Sequence, residues 1–122
     1  MHTIGPHTSI AGGLENALVR AHELGANALG MFTKNQRQWK AKPLASEEIA
    51  LFVQTCTKLG FSADQVLVHD SYLINLANPD AQKRQQSLEA FIDELKRVEL
   101  LGLKLLNFHP GSHLNQIDAK QA

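Results

Sequence analysis

Apolar positions along this chain fall into two alternating rhythms. Leu14, Ala17, Leu18, Ala21 and Leu24 share one face at helical spacing, and Gly25 stands where a helix ends on a left-handed residue. Residues 28–32 then form a short, continuous apolar run of strand length. The unit repeats. Ser46 is a good N-cap, Glu47 and Glu48 suit the positive end of a helix, and Ile49, Phe52, Val53, Cys56 and Leu59 mark its apolar face before Gly60. Residues 66–69 are the next strand. Leu88, Phe91, Ile92, Leu95 and Val98 define a third helix closing at Gly102, and residues 105–109 a further strand.

With residues 3–5 as a first strand, the order is βαβαβαβ. Strict alternation predicts a parallel sheet with right-handed crossovers, and continuous apolar strands predict burial on both faces. A doubly wound sheet and part of a barrel both satisfy that pattern. Polar residues follow all four expected strands (His7, residues 34–37, His69 and His109), whereas an open sheet gathers its chemistry at one switch point, so the barrel is favoured. Beyond the fourth strand, residues 114–122 are too few for another unit. A complete (β/α)8 barrel takes about 250 residues. The chain is therefore expected to be cut short.

Composition changes this picture little. The 122 residues carry zero formal net charge and a pI near 7.0, so any nucleic-acid contact must come from a local cluster. No apolar run reaches membrane-span length and no signal-peptide pattern opens the chain, so no membrane partner is expected. The single Cys56 excludes an internal disulfide and fits a reducing, cytoplasmic setting. Its place on the second helix's apolar face predicts a small buried hydrophobe rather than a reactive thiol.

The chemistry gathers at strand ends. Two expected strands finish on histidine, His69 and His109, and parallel strands bring both imidazoles to one rim. Imidazole is the commonest protein ligand for zinc-like metals, so the pair predicts half of a metal site. His7 reaches the same rim, as a ligand or a hydrogen-bonding neighbour, and His113 is equally open; His2 and His22 read as structural or exposed. The stretch 32–43 holds Lys34, Arg37, Lys40 and Lys42, no acid, and the only tryptophan, Trp39. It is either a phosphate-binding loop with Asn35 and Gln36 as hydrogen-bonding partners, or a solvated loop anchored by Trp39. Tyr72 and Leu73, beside His69, are either a wedge for unstacked DNA or packing under their own loop.

Taken together, the segments Gly5-x-His7-x-Ser9, residues 32–39, residues 69–76 and residues 107–113 resemble the endonuclease IV family of apurinic/apyrimidinic endonucleases. The matches run in order through almost the whole chain. The resemblance implies a TIM-like (β/α)8 barrel with three zinc ions at its carboxyl rim, of which residues 1–122 are the N-terminal half, strands one to four. It implies hydrolysis of the phosphodiester 5′ to abasic sites in duplex DNA, leaving a 3′-hydroxyl and a 5′-deoxyribose phosphate, and clearance of blocked 3′ ends. By position, His69 and His109 match two ligands of the more exposed zinc. Arg37, Tyr72 and Leu73 match residues inserted at the lesion, with Lys34, Asn35 and Gln36 in the same DNA-facing loop. His7 matches a rim histidine that supports the metal site without binding it.

Pro6 departs from the family's usual alanine, and the family's later carboxylate and histidine ligands lie beyond Ala122. The expectation is a catalytically incomplete, self-associating half of an enzyme whose complete form is monomeric. Two other classes compete: a non-catalytic DNA-binding or interaction fragment, and a sugar isomerase or epimerase. The last has no need of the 34–39 loop or the Tyr72-Leu73 tip.

Overall fold

The structure is a computed structural model, and it describes residues 2–35, 39–71 and 73–112. In chain order the elements are α1 (Glu15–Glu23), β1 (Leu29–Met31), α2 (Ser46–Leu59), β2 (Val66–His69), α3 (Ala81–Leu100) and β3 (Leu105–Asn107), with a short 3-10 turn at Ala63–Gln65 before β2. The three strands are parallel in the order β1-β2-β3. Leu29, Gly30 and Met31 pair with Val66, Leu67 and Val68, and Leu67, Val68 and His69 pair with Leu105, Leu106 and Asn107.

That register divides the sheet into two unlike faces. Leu29, Met31, Val66 and Val68 point into one core with Leu14, Ala17, Leu18 and Ala21 of the α1 region, Phe52 of α2 and Val98 of α3. On the opposite face Leu67 and Leu105 are each 39% exposed. Burial on both faces was the expectation, and it is corrected: among the described residues the helices cover one face only. A doubly wound sheet has helices on both faces, so one-sided cover identifies a barrel wall.

The helix ends follow the sequence reading. Gly25, Gly60 and Gly102 take φ of 74°, 79° and 72°, the left-handed values that stop each helix. Ser46 is the first helical residue rather than the cap; Ala45 precedes it with no side-chain cap. The capped helix is α3, where Asp80 accepts from the backbone N–H of Gln82 and Lys83 at 2.9 and 3.1 Å. Cys56 is half-buried against the core, and burial pushes its thiol up to about 11, as a packed and inert residue requires.

Two further expectations are corrected. Residues 3–5 do not form a strand. The segment runs beside β1 through a single parallel bridge, His7 with Gly30, supported by Gly30 N–H to the Pro6 carbonyl and Thr8 N–H to the Gly30 carbonyl, both 2.9 Å. Asn27 replaces the earlier ladder with its side chain, accepting from Ile4 N–H at 2.7 Å and donating to the His2 carbonyl at 2.8 Å. Pro6 has no N–H to offer a ladder.

The inward face of α3 is also not the expected one. Ser87, Ala90, Glu94, Arg97 and Val98 are buried, while Leu88, Ile92 and Leu95 of the apolar stripe are 42–45% exposed. The polar stripe is drawn in because the rim loops supply it with partners. Among the described residues no helix is long and apolar enough to cross a membrane.

Candidate functional site

Two helices hold the carboxyl rim of the sheet in place. From α1, Arg20 donates to the carbonyls of Ser9 and Ala11 at 2.7 and 3.1 Å. The buried Thr8 hydroxyl donates back to the Ala17 carbonyl at 2.9 Å. His7 is thereby held over Gly30, where a Cβ would stand 3.2 Å from His7 Cδ2; the glycine leaves the ring its seat.

His69 ends β2, and His109 lies two residues beyond β3. The rings of His7 and His69 are 6.0 Å apart between centres, and those of His69 and His109 also 6.0 Å. Phe32 packs at 4.7 Å from His7 and 5.3 Å from His69, giving the row an apolar backing.

Does this row fit a metal? Zn–N bonds of about 2 Å place each ring centre about 3 Å from the ion, so two rings on a tetrahedral zinc stand about 5 Å apart. The His69–His109 spacing of 6.0 Å is wider than that and equals the His7–His69 spacing, so the rings would have to close by about 1 Å on a shared ion. His69 Nδ1 lies 2.7 Å from the Asp70 carbonyl, which selects the tautomer protonated at Nδ1 and leaves the lone pair on Nε2. A second partner that fixes the tautomer in this way is typical of metal-binding histidines. Among the described residues no cluster of three or more potential metal ligands is assembled. Burial, followed by the charge of His69, lowers the pKa of His7. A neutral His7 suits a supporting role beside a cation.

Asp70, next in the chain, is 3% exposed. Its Oδ1 accepts from Ser71 N–H at 2.9 Å, while Oδ2 is buried with no partner among the described residues. Burial raises its pKa, against the Ser71 hydrogen bond and the charges of Lys34 and His69.

The DNA-facing assignment is corrected at Lys34. Its side chain is 4% exposed, its ammonium lies 3.2 Å from Asp93 Oδ2, and it also donates to the Trp39 carbonyl at 3.5 Å. An ammonium held this way is a strut inside the protein and is not presented to a phosphate. Asn35 is exposed, as a contact residue requires, and Leu73 is half-buried rather than a bare tip, its N–H donating to Ser71 Oγ at 3.2 Å. Gln36, Arg37, Tyr72 and His113 lie outside the described residues.

What the sequence reading missed is the anchoring of these loops on α3. Arg97 donates to Asp93 at 3.1 Å and to the carbonyls of Thr33 and Lys42 at 3.3 and 2.5 Å, which joins both ends of the 33–42 loop. Glu94 accepts from the Thr33 hydroxyl at 2.5 Å. Burial opposes ionisation of Asp93, yet the hydrogen bonds from Arg97 and Lys34 prevail and hold its carboxyl low; burial keeps Glu94 raised despite Thr33 and Lys34. The signal is present in the sequence, where Ser87, Glu94 and Arg97 recur at helical spacing beside the apolar stripe that was expected to face inward.

Comparison with known proteins agrees with the fold. A family model described as xylose isomerase-like TIM barrel matches residues 18–122. A protein described as a probable endonuclease 4, from Phocaeicola vulgatus, is 57% identical over 121 residues, covering 99% of this chain and 44% of the relative. The crystal structure of endonuclease IV from Thermus thermophilus superposes with a TM-score of 0.79 at 30% identity, over 89% of this chain and 41% of that one. A D-psicose 3-epimerase superposes with a TM-score of 0.66 at 13% identity, over 97% of this chain and 43% of that one, and shares the fold alone. The chain spans less than half the length of each of these relatives.

Proposed function

Because the chain belongs to the xylose isomerase-like TIM barrel family, we propose that it is the N-terminal half of an endonuclease IV-type DNA-repair enzyme. The whole enzyme would hydrolyse the phosphodiester 5′ to abasic sites in duplex DNA and trim blocked 3′ ends. The observation that carries this reading is the 57% identity to a probable endonuclease 4 over 99% of this chain, with His69 and His109 side by side on the carboxyl rim.

In this reading His69 and His109 hold one zinc between them, and His7 packs beside them. A divalent-metal centre supplies Lewis acidity and charge neutralisation at the phosphate. The chain's own part would be to orient the two imidazoles, exclude water behind them with Phe32, and present the loop from Asn35 onward and the Tyr72-Leu73 turn to DNA. Flipping costs least at an abasic site, where no base pair holds the nucleotide, and inserted side chains such as Arg37 and Tyr72 offset part of that cost. The D-psicose 3-epimerase likeness, at 13% identity, gives a sugar reading no residue-level support.

A chimera tests this. Residues 1–121 would replace the corresponding segment of the Phocaeicola vulgatus relative. The chimera is expected to nick a duplex carrying one synthetic abasic site on its 5′ side, in a zinc-dependent manner. His69→Ala or His109→Ala should lower the rate by about 100-fold or more, since even changes outside the ligand shell cost 10–100-fold. Full activity and zinc content in either variant would overturn the ligand assignment.

A further inference from the structure

Asn75 ties together the two turns that carry the histidines. Its Oδ1 accepts from the N–H of Ser112 at 2.8 Å, and its Nδ2 donates to the Ser112 carbonyl at 2.9 Å. The amide thus meets one backbone unit with both a donor and an acceptor, as a neighbouring strand would. The same Oδ1 also accepts from Ala77 N–H at 3.2 Å. The backbone of Asn75 is fixed in turn, its N–H donating at 2.9 Å to the hydroxyl of Ser87, which is 1% exposed on α3.

These bonds sit where His109 needs them. The β2–β3 ladder ends with Asp70 N–H on the Asn107 carbonyl at 2.9 Å, and His109 comes two residues later on the sheet's edge. His109 is therefore bracketed, with Asn107 tied to Asp70 before it and Ser112 tied to Asn75 after it. Gly111 completes the fit. Its φ is +124°, and a Cβ there would lie 2.2 Å from Asn75 Oδ1 and 2.8 Å from Ala77 N, so only glycine lets the two turns meet.

We propose that Asn75 is a positioning residue that sets the separation of His69 and His109, acting through the Ser112 backbone and braced by Ser87. The inference rests on the reading of those two histidines as ligands. It adds the element that holds the second ligand in register with the first. Outer-shell groups that orient ligands carry about 10–100-fold in metal affinity.

The test uses the chimera of this chain with the Phocaeicola vulgatus relative, titrated with Zn²⁺ alone, following the imidazole resonances of His69 and His109 and the exchange rate of the Ser112 amide. In the unmodified chimera both rings are expected to respond to zinc together with one apparent Kd, and the Ser112 amide to be protected. Asn75→Ala should raise that Kd by about tenfold or more, uncouple the two ring responses and speed Ser112 exchange. Asn75→Asp, which keeps the acceptor and loses the donor, should fall between them, and Gly111→Ala should reproduce the loss with Asn75 intact. A purely structural role would lower the melting temperature while both rings still titrated together at an unchanged Kd, and that result overturns the proposal. So does an unchanged Ser112 exchange rate in Asn75→Ala. If the rings of the unmodified chimera do not respond to zinc, the ligand reading has failed, and the positioning role falls with it. In that case the exchange data still separate a lost tie from a lost ligand.

Discussion

Neighbouring carboxyl groups at this rim are shifted in opposite directions. Glu94 holds its proton to higher pH in the folded chain than the ordinary value of 4.5, because it is buried. Folding therefore takes up a proton as pH rises above 4.5, and stability falls through that window. Glu94→Gln keeps an acceptor for Thr33 and removes the ionisation. Its melting temperature should decline less than that of the unmodified chain between pH 4.5 and 7. Some decline should remain, since Asp70, also raised by burial, acts with the same sign. Asp93 acts oppositely: its lowered carboxyl stabilises above about 3.8, and that contribution is lost as pH falls. An equal decline in the Gln variant would mean that Glu94 is ionised throughout. That His69 and His109 share one rim was legible in the sequence because strand direction carries them there, although β3 ends at Asn107 and only His69 ends a strand. Lys34 was not, because a basic residue in a basic loop reads as a phosphate contact until its buried partner Asp93 is seen.

At the level of elements, α3 explains most of what the sequence pattern gave and most of what it hid. Its length and closing glycine were readable; which face turned inward was not. Periodicity reports where apolar residues fall and says nothing about which stripe a neighbour will claim. Here the polar stripe secures the loops through Ser87, Glu94 and Arg97, and Leu88, Ile92 and Leu95 are left at the surface. In a barrel each helix lies between two others, so an apolar stripe beside the last described strand is the flank that a following helix would cover. Ile92→Gln is expected to change stability by no more than about 0.5 kcal/mol, as an exposed site should. Sedimentation velocity should nevertheless show less association than in the unmodified chain. A large loss of stability would mean that the stripe is already covered.

Among the described residues the sheet is one-sided, with β3 at an edge and Leu67 and Leu105 open on the uncovered face. Unpaired edges and open apolar faces favour association. Made alone, the 122-residue chain is expected to sediment as oligomers, to bind zinc weakly, and to leave an abasic duplex uncut. A dispersed monomer that nicks such a duplex with zinc would refute that expectation. The position of His109, just past the edge strand, has one more effect. If His109 is the ligand proposed above, a strand pairing at β3 would also steady its imidazole, and zinc affinity and that pairing would be linked. By reciprocity, zinc would strengthen the pairing by the same factor that the pairing strengthens zinc binding. The ion would then act as a clasp across that edge, and the zinc concentration would set how tightly it is held.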